Sequence, residues 1–223
     1  MYLFIAALST VASYAILGAI LFVSAGTMRL PMFWVYIAEF TVLSLLELVL
    51  VYLRSPDLIK ERLRPGAGER DKATIPILTI LFVGQYIVAG VDAGRTHWSH
   101  GFPFALQVSG LILFAIGFGI VIWAMLVNKF FSTAVRIQED RGQKVITSGP
   151  YQFVRHPGYA GGSMLLLGSS IGLGSWLAIL LMLLTFPLYI KRTILEDDML
   201  HKDLEGYTEY AAKVRYRIIP GVW

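Results

Sequence analysis

The sequence predicts an all-α, polytopic membrane helical bundle, and three observations carry that prediction. Of 223 residues, 56% are hydrophobic and only 15% are charged, whereas a soluble domain carries about 25% charged residues. The apolar residues gather in blocks comparable to the roughly 20 residues that cross a bilayer. The cationic residues crowd into alternate connections between those blocks.

Six hydrophobic segments are expected, at residues 2–24, 31–53, 75–92, 103–127, 159–173 and 175–190. The first is apolar from Met1 and has no basic stretch before it, so it reads as a span rather than a cleaved leader. The second carries Glu39 and Glu47. A carboxylate at bilayer depth costs several kcal/mol, so each is expected to face a cleft or a neighbouring helix. After the second span, Ser55-Pro56 starts a short amphipathic helix through Arg64. It should lie on the headgroups as a solvated, charged connection and end in a turn at Pro65-Gly66. The fifth segment is short and holds Gly158, Gly161, Gly162 and Gly168, which suit close helix packing in lipid. The stretch Gly172-Leu173-Gly174-Ser175 makes the last two segments a tight hairpin. Trp34, Trp98, Trp123 and Trp176 sit near span ends, as interfacial anchors do.

Charge sets an expected orientation. Residues 54–74 hold six Lys and Arg, residues 128–158 five and residues 191–223 six, while the opposite connections hold only Arg29 and Arg95. The positive-inside rule therefore places both termini and the three basic segments in the cytoplasm. Membrane topology accounts for the sequence pI near 9.3, and no nucleic-acid partner is expected. The absence of cysteine removes disulfides, thiolate metal sites and cysteine nucleophiles. His97 and His100 flank Trp98 without a ligand set around them, so no metal is expected. Residues 1–127 read as N-terminal membrane helices, and residues 128–223 as the region that carries the chemistry.

That region opens with a polar connection from Asn128 to Gly158. Its "EDRGQ", Glu139 to Gln143, reads as a turn, and "KVITS", Lys144 to Ser148, as a short extended piece. Then "GPYQFVRHPGY", Gly149 to Tyr159, puts Arg155 and His156 against the fifth segment, with Pro157 at its first turn. Beyond the hairpin, Glu196, Asp197 and Asp198 continue the sixth helix. Because a hairpin returns both ends to one side, a carboxylate, a guanidinium, an imidazole and Tyr151, Tyr159 and Tyr207 can converge at the membrane surface.

These residues carry a resemblance. "GPYQFVRHPGYAGG" followed by "LEDDML" and "LEGYTEYAAKVRYRIIPG" resembles the isoprenylcysteine carboxyl methyltransferase and phospholipid methyltransferase superfamily of membrane enzymes. The match runs through Gly149, Tyr151, Arg155, His156, Pro157, Tyr159 and Gly161, then Glu196 with Asp197, then Gly206, Tyr207 and Tyr210. The acidic pair departs from the usual two glutamates at Asp197, and the Gly206-Tyr207 interval is shorter than the family pattern. The resemblance covers about residues 125–223.

It implies S-adenosylmethionine as methyl donor, bound without a Rossmann domain, in keeping with the lack of G-x-G-x-x-G. By the match, Gln143, Val145, Tyr151, His156, Pro157, Tyr159, Glu196 and Asp197 would surround the cofactor. Arg155 and Arg217 would face the acceptor, with Glu196 sharing the catalytic work. The acceptor would be lipophilic, a small molecule or a prenylated chain, reached from the membrane lipids through a cleft between the hairpin and the second span. Carboxylate O-methylation, phospholipid N-methylation and an NADPH-dependent reduction of the sterol-reductase type are the readings left open.

Overall fold

The computed structural model describes residues 2–63 and 74–223. The expected Pro65-Gly66 turn lies outside them. Among the described residues every regular element is helical. Five helical stretches are long and apolar enough to cross a membrane: Leu3–Ala25, Pro31–Arg54, Thr74–Thr96, Phe104–Val127 and Trp176–Asp203. The protein is thus an integral membrane bundle.

The first two spans are α1 (Tyr2–Ala25) and α2 (Pro31–Arg54). Pro31 opens α2, where its missing N–H does no harm. The short α3 (Pro56–Leu63) differs from the solvated connection expected of it. Leu58 and Ile59 are buried with Ala6, Val51 and Met125, and Glu61 is buried too. Its apolar face has protein to cover, so it seats on the bundle rather than on lipid.

Helix α4 (Thr74–Val91) runs into a π-helical turn at Asp92–Thr96. Buried Asp92 accepts hydrogen bonds from Ser99 and from Ser175. That carboxylate ties the connection before α5 (Phe104–Val127) to the hairpin between α6 (Pro157–Gly172) and α7 (Trp176–Leu183). Ser175 caps α7 by accepting from the Ala178 N–H.

Helices α5 and α6 lie almost backbone to backbone. A Cβ on Gly161 would stand 2.6 Å from the Gly117 carbonyl oxygen, and one on Gly168 would stand 2.5 Å from the Phe114 nitrogen. Only glycine permits that approach, which is how association is won in lipid. At 16 residues, α6 rises only about 24 Å, so it is buried against α5 rather than spanning alone.

The last hydrophobic segment runs further than 175–190. Helix α7 breaks at Leu184, and α8 continues over Thr185–Asp203. Pro187 lacks the N–H that would bond back across the break. The short α9 (Tyr207–Lys213) and the tail follow. The expected extended piece at 144–148 is irregular backbone, and among the described residues no strand stands beside it to pair with.

Candidate active site

Beside the basic end of the bundle lies a cavity of about 370 Å³, within the roughly 300–1,000 Å³ range of small-molecule sites. Its polar lining includes Asn128, Gln143, Arg155, His156, Tyr159, Arg192 and Glu196, and its apolar lining includes Ile75 and Leu78 of α4, Val121 of α5 and Leu165 of α6. Glu39 and Glu47 of α2 do not line it, so α4 takes the place expected of the second span.

Most of the expected residues meet here. Gln143, Val145, Tyr151, Arg155, His156, Pro157, Tyr159 and Glu196 all contribute to the walls. The three consecutive acids of α8 part company. Asp198 is exposed, Glu196 is half-buried at the cavity, and Asp197 is fully buried behind it.

Asp197 is the hub of a closed network. Its Oδ1 accepts from Arg155 Nε at 2.9 Å, His156 Nε2 at 3.0 Å and the Tyr207 hydroxyl at 2.7 Å. Its Oδ2 accepts from Arg155 Nη2 and Arg217 Nε, both at 2.8 Å. Five bonds to one carboxylate balance the charge that burial would otherwise forbid. Arg155 spends its remaining reach on the backbone carbonyls of Val214 and Arg215. Burial works against its charge, but the Asp197 carboxylate more than restores it and raises its pKa.

The tail is also held by backbone bonds, from the Arg155 N–H to Tyr216 and from the His156 N–H to Arg217. Arg155 and Arg217 are therefore engaged in clasping the C-terminal segment. Arg217, stacked over Trp223 with its guanidinium 5.2 Å from the ring centroid, does not line the cavity.

Tyrosines support the same site. Burial, and then the neighbouring Asp197 charge, push the Tyr207 hydroxyl well above its ordinary pKa, so it stays a proton donor. Burial does the same to Tyr210, which donates to the Tyr151 carbonyl at 2.7 Å. The Tyr151 hydroxyl is likewise pushed up by burial and accepts from Asn128 Nδ2 at 2.8 Å.

A second chain of bonds faces the cavity. Arg192 Nε donates to the Tyr159 hydroxyl at 2.8 Å, and that hydroxyl donates to Glu196 Oε2 at 2.6 Å. Arg192 Nη2 reaches the Thr133 carbonyl. The Asp197 bond assigns the His156 proton to Nε2, leaving Nδ1 on the side of Glu196 Oε1, 4.0 Å away. Arg192 was not singled out in the sequence. The signal was available: it precedes Glu196 by four residues, one helical turn on the same face. Asn128 and the Thr133 carbonyl carried no comparable signal.

The family described as phospholipid methyltransferase matches residues 106–205. That span includes Asn128, Tyr159, Arg192 and Glu196 but ends before Tyr207 and Arg217. A probable protein-S-isoprenylcysteine O-methyltransferase from Oryza sativa subsp. indica is 26% identical over 159 residues, covering 67% of this chain and 83% of that protein. Its counterpart from subsp. japonica gives the same figures. The fold matches a solved eukaryotic intramembrane Ras methyltransferase, isoprenylcysteine carboxyl methyltransferase, with a TM-score of 0.67. That match covers 96% of this chain and 77% of the other at 19% identity, so it speaks to the fold.

Proposed function

We propose a reaction from one premise: this chain belongs to the isoprenylcysteine carboxyl methyltransferase and phospholipid methyltransferase superfamily of integral membrane methyltransferases. The proposed reaction is transfer of a methyl group from S-adenosylmethionine to the carboxylate of a lipophilic acceptor, such as an S-isoprenylcysteine. One observation carries it. The cavity is lined both by the Arg192–Tyr159–Glu196 chain and by apolar residues of the membrane helices.

The residues present suit that donor. Glu196 offers a half-buried carboxylate to a cation, and Gln143, Tyr151 and His156 offer polar and aromatic surface around it. S-adenosylmethionine, when bound, supplies an electrophilic methyl group on a sulfonium. The chain's own residues do the rest by positioning, which is worth several kcal/mol. Tyr159 holds Glu196 in place, and Arg192 holds Tyr159 from the other side. Phe131, Leu165 and Tyr189 exclude water from the reacting anion. A carboxylate oxygen forms the new C–O bond without losing a proton, so no general base is required.

The basic end would face the cytoplasm, as the cation distribution argues. Gly142→Cys should then label only from the cytoplasmic side and Trp98→Cys only from the other, in a chain that has no native cysteine. The reaction is tested with methyl-labelled S-adenosylmethionine and N-acetyl-S-farnesylcysteine in reconstituted vesicles. Label released as methanol by base marks an ester and supports the reading. Base-stable label on phospholipid amines refutes carboxylate methylation and identifies a phospholipid N-methyltransferase.

A further inference from the structure

One cation at the cavity stands apart from the networks above. Arg62, near the end of α3, lines the same cavity as Ile75, Leu78 and Phe131. Its contacts are poor for a guanidinium. Nη1 points at the Met125 sulfur at 3.2 Å, a weak acceptor. Nη2 stands 3.7 Å from Glu47 Oε1, too far for a hydrogen bond. The guanidinium carbon sits 5.9 Å from the Phe131 ring centroid. Its side chain remains 32% exposed. By contrast, Arg155 on the same cavity meets oxygens with all three of its nitrogens.

We propose that Arg62 receives the carboxylate of the lipophilic acceptor in the cavity, with Glu47 as the counter-ion that the carboxylate displaces. This rests on the reading of the cavity as a methyl-transfer site. A lipophilic acid in a bilayer keeps its carboxylate at headgroup depth and its tail in hydrocarbon. Arg62 lies in α3, one short connection after α2 at the basic end of the bundle, and Ile75 and Leu78 give the same cavity apolar surface for the tail. A guanidinium fork fits such a carboxylate bidentately. Its present partner is a long, partly exposed ion pair, which is weak and readily exchanged. Glu47 therefore competes with the acceptor instead of assisting it.

That competition gives two variants opposite signs. In vesicles of pure phosphatidylcholine, Arg62→Gln should raise the KM for N-acetyl-S-farnesylcysteine about tenfold, as expected for a lost charge-assisted hydrogen bond. Glu47→Gln should lower the KM by about twofold or more, the order of a weak surface pair. S-adenosylmethionine affinity, read by calorimetry, should stay unchanged in both, which also shows that both are folded. The neutral methyl ester product should inhibit wild type and Arg62→Gln alike. KM values that do not move, or that rise in both variants, overturn the assignment. An Arg62→Gln effect seen only when phosphatidylserine is added overturns it too, since Arg62 would then bind a lipid headgroup. Failure of the wild type to form any ester refutes the underlying reaction instead, so the two failures are separable.

Discussion

Replacing Asp197 by Asn would change only one atom of the buried hub, yet the structure predicts a large effect. The carboxylate accepts five hydrogen bonds, three at Oδ1 and two at Oδ2. An amide can accept at one end only and must point N–H groups at donors on the other. With the amide nitrogen in the Oδ2 place, the bonds from Arg155 Nη2 and Arg217 Nε are lost together. Charge-assisted hydrogen bonds contribute about 1.5–3 kcal/mol each. The Arg217 bond belongs at or below the low end, because that side chain is 31% exposed and solvent screens it. Arg155 is left as a buried, half-paired cation, and breaking such a pair costs about 3–5 kcal/mol. Both routes give a loss of about 3–5 kcal/mol. For a chain of this length that is a fall of at least about 6 °C in Tm. The assay is thermal unfolding in detergent, followed by tryptophan fluorescence, with limited proteolysis of the segment after α9. Asp197→Asn should unfold earlier and expose the tail to protease, because Arg217 loses its anchor and Arg155 half of its own. An unchanged Tm with a protected tail would refute the hub. A loss confined to donor affinity would place Asp197 in contact with the donor.

Other consequences are more local. Glu196→Gln should weaken S-adenosylmethionine binding by about 10–100-fold, the equivalent of one charge-assisted bond, measured by calorimetry. Gly168→Ala should destabilise by about 1–3 kcal/mol through overpacking, because its Cβ would strike the α5 backbone. Gly119→Ala, which meets nothing within 4 Å, should be neutral or slightly stabilising in the same unfolding assay. Tyr151, Tyr207 and Tyr210 all have hydroxyl pKa values raised by burial. The folded state thus keeps protons that the unfolded chain gives up near pH 10, so their contribution is intact below about pH 10 and falls above it. Three such groups predict a slope of about 4 kcal/mol per pH unit in alkaline unfolding. Each Tyr→Phe variant should lower that slope by about a third.

How much of this was legible in the sequence depends on the kind of signal. Hydropathy blocks located the spans because length and apolarity are local properties. The glycines of α6 announced close packing, although only the structure shows that Gly161 faces Gly117 and Gly168 faces Phe114. The motif residues from Gly149 to Tyr159 and at Glu196 pointed to the cavity. They did not reveal which side of each residue faces it. Glu196 and Asp197 are neighbours in sequence and a helix turns them about 100° apart, so one meets the cavity and the other the protein interior. Arg155 and Arg217 read as acceptor ligands until their partners were visible, since a guanidinium's task is set by the oxygens around it. Helix α3 was misjudged for a similar reason. Its charges are plain in the sequence, but the surface that covers Leu58 and Ile59 comes from α1, α2 and α5.

On the proposed reading, methyl transfer occurs in the cavity bounded by Tyr159, Arg192 and Glu196. A structure of the protein with S-adenosylhomocysteine bound tests it most directly. The ligand should lie inside that cavity, within hydrogen-bonding reach of Glu196, with Asp197 still holding Arg155 and Arg217 and touching no ligand atom. A ligand that rests on Arg217 and the tail, or that binds away from Tyr159 and Glu196, would contradict it.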